Sequence, residues 1–232
     1  MSSAAEFDEE NNNYCGGQNE IDGKVLTLDH HLIKSISISD IENGNTDLRF
    51  IRDGARAIAD VIGRGANQTV MALFNDTNCP ISAAMPTTKE GFAGLIKVAA
   101  DNSVNPYETT LILSPGDYGN LISKLDYAVL GSDEAVKYGV VENLYGFRSV
   151  QWSPFLAEGV KGVMVPYGCV GLASRANKPV LDGYVATWET ENPDGFTISW
   201  RVFENLCKGR GYIAGDILFG AAILQPKCIL LK

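Results

Sequence analysis

Asp29, His30 and His31 stand consecutively and include both histidines of the 232-residue chain. A carboxylate and two imidazoles are ligand types from which a metal-activated water can be made, but such a site needs three or four ligands that converge on one point. The aspartates upstream are Asp8 and Asp22, in a polar stretch without strand pattern, so the plainer reading of the triplet is a turn where a strand meets solvent. With both histidines at one locus, no imidazole is left to activate a serine elsewhere. No GxSxG, P-loop or HExxH occurs. Gly209, Gly211 and Gly215 make half of a dinucleotide fingerprint, without its third glycine or its strand–helix setting, and read as a turn flanking a strand. Paired carboxylates stay open, since any two of the 28 acidic residues can meet in a fold.

The five cysteines (Cys15, Cys79, Cys169, Cys207, Cys228) are odd in number, widely spaced and without a CxxC pair. The expectation is buried, reduced thiols rather than a disulfide scaffold or zinc site. A net charge of −9 lacks the basic footprint that gathers phosphates, which disfavours tight nucleic-acid binding. The start of the chain is acidic where a signal peptide is positive, and no apolar run reaches the roughly 18 residues of a membrane span. A soluble protein made in the cytoplasm is expected. Asn67-Gln68-Thr69 and Asn75-Asp76-Thr77 fit a glycosylation sequon but fall in or beside a predicted helix and are set aside.

Positioning elements follow from periodicity. Residues 1–23 are polar and read as loop or arm. Isoleucines 36 and 38 alternate with serines 35, 37 and 39, which predicts a half-buried strand. Nothing nearby supplies an evident partner, so this strand is expected to lie as an extended hairpin on a neighbour. Leu48, Ile51, Ala55, Ile58, Ile62, Ala66, Val70 and Leu73 then recur at three- and four-residue steps. They predict a helix of roughly 28 residues, about 42 Å long, in which Gly54, Gly63 and Gly65 permit a kink or a close approach. Residues 75–86 are breakers. A helix capped by Thr87 or Thr88 follows to about Ala100, then a strand at Thr109–Leu113, then a helix opened by Ser114 and Pro115 with Tyr118, Leu121, Ile122 and Leu125 as its stripe. Beyond Val140 the chain reads as strands and turns: 146–153, a strand from Gly162 that breaks at Pro166 into a short helix, a hairpin of 184–188 with 196–203, and a last strand at Ala221–Leu224.

Two stretches carry a family resemblance. Leu28-Asp29-His30 through Ser37-Ile38-Ser39-Asp40-Ile41-Glu42, with the long helix behind it, resembles the second half of the extended loop of a tailed-phage coat protein leading into its spine helix. The run Thr110 to Tyr118, then Gly146 to Val150, then Val163 to Arg175, resembles later elements of the P22-like coat proteins in order and pattern. The resemblance extends from about residue 24 to the C-terminus.

That resemblance implies an α+β chain with the Hong Kong 97-like major capsid fold and a structural, non-enzymatic role: self-assembly into an icosahedral head shell enclosing phage DNA. It implies an N-terminal arm (1–17), an extended loop (18–41), a peripheral domain with the spine helix (42–86), an axial domain (87–200) and a return to the peripheral domain (201–232). Lys34, Ile36, Ile38, Ile41, Arg49 and Arg52 become candidate assembly-interface residues. Implied partners are copies of the chain in pentamers and hexamers, scaffold, portal and decoration proteins, and packaged DNA without tight specific binding. No cofactor, no metal ligand set and no membrane is implied, and the location is the virion, after synthesis in a bacterial host. Some family members form a Lys–Asn cross-link assisted by Glu. Lys24 and Lys34 lie in the loop region without an identified Asn and Glu, so no covalent cross-link is expected. Removing residues 18–41 is expected to leave a folded subunit. The rivals are an encapsulin-like compartment shell, a metal-dependent phosphoesterase centred on Asp29, His30 and His31 (an Asp-His-His triplet is a metal signature of one such family), and an α+β small-molecule-binding module.

Overall fold

β1 (His30–Ser39) pairs antiparallel along its whole length with β10 (Arg210–Ile223), from His30 opposite Phe219 to Ser39 opposite Arg210. The computed structural model describes residues 25–39, 49–124, 141–142, 144–177, 186–191, 197–205, 207 and 209–232. On its other side the 14-residue β10 pairs first with β9 (Thr197–Asn205) and then with β7 (Val170–Arg175), while β8 (Ala186–Glu191) continues the first sheet beyond β9. One long strand thus aligns three others.

The long helix is α1 (Arg49–Ala72), 24 residues or about 36 Å. Its buried stripe, Ile58, Ile62 and Ala66, packs on Trp200, Ile213, Ile217 and Phe219 of the first sheet, with Leu32 and Ile36 of β1 beside them. Each such side chain, fully buried, contributes roughly 1.5–3 kcal/mol. Gly65 allows a close approach, since a Cβ there would meet the Leu32 side chain at 2.9 Å, whereas on Gly63 it would meet nothing within 4 Å. Asn75 ends the helix region, donating to the Ala72 carbonyl and accepting from the backbone N–H of Thr77 and Asn78.

A second sheet runs β2 (Ile81–Ala83), β11 (Ile229–Leu231), β6 (Gly162–Pro166), β3 (Thr109–Leu113), β5 (Ser149–Trp152), β4 (Val141–Glu142). It is mixed: β2 is parallel to β11 and β3 to β5, the rest antiparallel. α2 (Lys89–Asp101), capped by Thr88 accepting from Gly91 N–H, and α3 (Pro115–Lys124), whose Ser114 hydroxyl donates to Asp117 and accepts from its N–H, pack on this sheet. Phe92, Leu95 and Ala99 of α2 and Tyr118 and Leu121 of α3 bury against Leu111, Val150, Met164 and Ile229.

Among the described residues the chain passes between the two sheets three times: from α1 to β2, from β6 to β7 and from β10 to β11. A third cluster seals these passages, built from Phe74, Cys79, Val163, Cys169, Cys228 and Leu230, all at most 1% exposed.

Several expectations are corrected. β1 has a partner in its own chain, and Leu32 and Ile36 turn to α1, so removing residues 18–41 strips a ladder from β10 and uncovers its core instead of sparing the subunit. After Pro166 the chain turns through Gly168, at φ 76°, into strand β7 rather than a helix, because β10 offers it a ladder. Residues 221–223 are the end of β10, and the last strand is β11. The breaker stretch contains β2, too short to show a period. β2 and β11 share the second sheet with β3 and β6, while β7, β8 and β9 share the first with β1. Residues 1–24, Ile41, Leu125 and the turn at 192–195 lie outside the described residues.

Among the described residues Gly220 is the tightest glycine, since its Cβ would run into the Thr27 carbonyl. Gly220→Ala should lower the urea midpoint, by about 1–3 kcal/mol of stability. Gly63→Ala, on open helix surface, should raise stability by roughly 0.5–1 kcal/mol.

Candidate functional site

Adjacent residues on a strand point to opposite faces, and His30 and His31 do so. The His30 ring tilts over Phe219 with centroids 5.3 Å apart, and its Nε2 lies 3.4 Å from the Asp29 carboxylate. His31 turns the other way, its Nε2 3.1 Å from Oδ2 of Asp216. The two imidazoles therefore diverge, and among the described residues no group of three or more His, Cys, Asp or Glu is arranged to hold a metal ion.

Asp216 organises a polar network that sequence reading missed. It is 1% exposed, on β10 between the core residues Ala214 and Ile217. Oδ2 accepts from the Asn177 side-chain amide at 2.8 Å, and Oδ1 lies 3.3 Å from the Arg201 guanidinium. Arg201 also donates to the Asn177 carbonyl, and Asn177 N–H donates to the Ser199 hydroxyl at 2.9 Å. The Asn177 amide is 3.1 Å from His31 Nε2 as well. Facing both a carboxylate and an amide donor, that nitrogen is best satisfied carrying its own proton and donating to Asp216. Every member is bonded to another, so a buried carboxylate is held without being left unpaired. The network joins β1, β9, β10 and the segment after β7, which makes it a clamp on strand order. The signal in the sequence was an aspartate inside the apolar run from Ile213 to Ile217.

The interface candidates separate. Lys34 is exposed on β1 opposite Gly215. Ile36, opposite Ile213, is half-buried against its own core, and Gly54 lies close to it. Ile38 pairs with Gly211, and Arg49 and Arg52 fall in the first turn of α1, but their side chains, like all of Ile41, lie outside the described residues.

Two surfaces stand out instead. β1 forms one edge of the first sheet and shows Ile33, 61% exposed, on its outer face. On the second sheet, Tyr107 and Tyr167 are 76% and 79% exposed, and Tyr167 N–H donates to the carbonyl of Glu108, next to Tyr107. Ile96 and Tyr107 both approach Gly146. The cue for these aromatics was their place in turns beside Pro106 and Gly168, where a ring has no core to enter. No helix among the described residues is long and apolar enough to cross a membrane.

No protein-family model matches the chain, and no curated protein sequence matches it. Solved structures do. A structure from Mycobacterium phage Che8 is 14% identical with a TM-score of 0.57, covering 100% of this chain and 81% of that one. The capsid structure of the cyanophage P-SCSP1u is 13% identical with a TM-score of 0.57, covering 100% and 80%. A virus-like particle from Pyrococcus furiosus is 12% identical with a TM-score of 0.51, covering 88% and 74%. The chain shares the fold of these structures over its length.

Asp216→Ala should cost about 3–5 kcal/mol in urea unfolding, because it leaves the Arg201 guanidinium, 15% exposed, without its carboxylate. Asp216→Asn, which keeps an acceptor for Asn177, should cost less.

Proposed function

We propose that this chain is a major capsid protein of the tailed-phage type with the Hong Kong 97-like fold, a structural and non-catalytic subunit whose copies close into an icosahedral head around phage DNA. The observation that carries the reading is the likeness of the whole chain to the capsid structure of the cyanophage P-SCSP1u and to a structure from Mycobacterium phage Che8. The division of the strands fits it. The first sheet with α1 takes the part of the peripheral domain and spine helix, and the second sheet with α2 and α3 the part of the axial domain around capsomer centres.

The physics of the surface supports the same reading. A ten-residue edge strand with an exposed isoleucine invites pairing or cover by another chain. Two exposed tyrosines close together are the kind of amphipathic aromatic enriched where proteins associate. Closed symmetry lets such surfaces be satisfied in every copy. A net charge of −9 suits a wall that should not adhere to the DNA it encloses. Scaffold, portal and decoration proteins would be its partners, and the virion its location.

Negative-stain electron microscopy of the purified protein, with size-exclusion chromatography of the same sample, should show closed shells or five- and six-membered rings. A uniform monomer across the accessible concentration range, persisting when the chain is co-expressed with a scaffold protein from its own genome, would overturn the proposal. Nucleic acid inside native particles supports a phage head; enclosed protein without nucleic acid would favour the encapsulin-like reading. Tyr107→Asp combined with Tyr167→Asp should abolish rings and shells while leaving stability within about 0.5 kcal/mol of the parent, as for other exposed positions.

A further inference from the structure

Each of the three passages between the sheets carries a cysteine. Cys79 lies between α1 and β2, Cys169 between β6 and β7, and Cys228 between β10 and β11. They are 1%, 1% and 0% exposed and meet in one buried cluster, in which Cys228 neighbours both of the others. The backbone draws two of the passages together as well: Leu224 N–H donates to the Cys169 carbonyl at 2.7 Å and Gln225 N–H to the same oxygen at 3.4 Å. A core needing only small apolar filler would be served by Ala or Val at any of these places. Three sulfurs in one buried cluster, one from each passage, can do what those residues cannot.

We propose that Cys79, Cys169 and Cys228 form a redox-modifiable thiol site, in which a peroxide-class oxidant joins Cys169 to Cys228 as a disulfide and ties the β6–β7 passage to the β10–β11 passage. Cys169 is the nucleophile. The Cys228 S–H first, then the Lys227 N–H and its ammonium, favour the Cys169 thiolate and bring its pKa down to about 7 against the opposing effect of burial. Both neighbours and burial push Cys228 up, so it stays protonated as the shared donor. The Cys79 thiol is lowered as well, again by Cys228 first, but burial and then the charges of Cys169 and Asp76 oppose its ionisation. The thiolate of Cys169 attacks one peroxide oxygen, breaking the O–O bond to give a sulfenic acid and hydroxide. The Cys228 sulfur then displaces the sulfenic oxygen, which leaves as water with the Cys228 proton. In net, two thiols lose two electrons and two protons, and one peroxide becomes two waters.

The inference does not rest on the shell reading and is tested on the full chain as it purifies. In a Cys15→Ser, Cys207→Ser background the three cluster thiols are the only cysteines. The folded protein is treated with hydrogen peroxide, denatured, alkylated and mapped by mass spectrometry. The expected product is a Cys169–Cys228-linked peptide pair with Cys79 alkylated. The Tm should rise by roughly 4–16 °C and fall back on adding a thiol reductant. Adding Cys228→Ser should remove both the link and the Tm shift, leaving Cys169 oxidised and unbridged. Three alkylated thiols after treatment, or a link through Cys79 instead, would overturn the proposal, and this reading needs no variant of the cluster itself.

Discussion

Phe74, Val163 and Leu230 sit in a buried cluster to which both sheets and the end of α1 contribute. The rest of the architecture depends on that seal. The two larger cores, one under α1 and one under α2 and α3, are each complete with residues of their own sheet. What makes them one body is the set of passages between them, and each passage exposes backbone that must be bonded or buried. The bonds are found locally: Cys79 N–H on Asn75, Cys169 N–H on Pro166, Leu224 and Gln225 N–H on the Cys169 carbonyl and Lys227 N–H on Gln225. A polar substitution at Val163 or Leu230 would strike all three passages at once, whereas one at Leu95 would strike a single core.

Much of the fold was legible because its signals were local. The three- and four-residue stripe of Ile58, Ile62 and Ala66, the Thr88 cap and the Ser114–Pro115 helix start each declare themselves within one turn of chain, and all three stand in the structure. The hairpin of β8 and β9 was likewise visible, since its strands are neighbours in sequence. What escaped was set by distant residues. Leu172 to Arg175 are strand rather than helix because β10 lies beside them. Ile36 faces its own helix because β10 fixes the register of β1, and the alternation of isoleucine and serine could say only that one face is buried, not by what.

The candidate site was legible in outline only. A resemblance in order and pattern pointed to phage coat proteins, and phage structures share the fold of this chain, while the residues chosen for contact came from β1 and the start of α1 by position alone. Exposure is a tertiary property: Ile33 and Ile36 are the same residue type three positions apart, and one is out while the other is in. The Asp29-His30-His31 run shows the converse. Three ligand types in a row suggest one centre, but a strand sends neighbours to opposite faces, and His31 ends on a carboxylate 185 residues away.

That distance bears on how the chain reaches its structure. β1 and β10 meet from nearly opposite ends of the described sequence, so the principal ladder of the first sheet has a long loop to close. Contacts of such separation slow folding. During synthesis, residues 30–39 leave the ribosome long before their partner exists. In that interval their isoleucine face is uncovered and open to wrong pairing, while α2, α3 and most of the second sheet can already form from nearer neighbours. The chain therefore acquires its first sheet late, and the appearance of that sheet waits on the arrival of one strand.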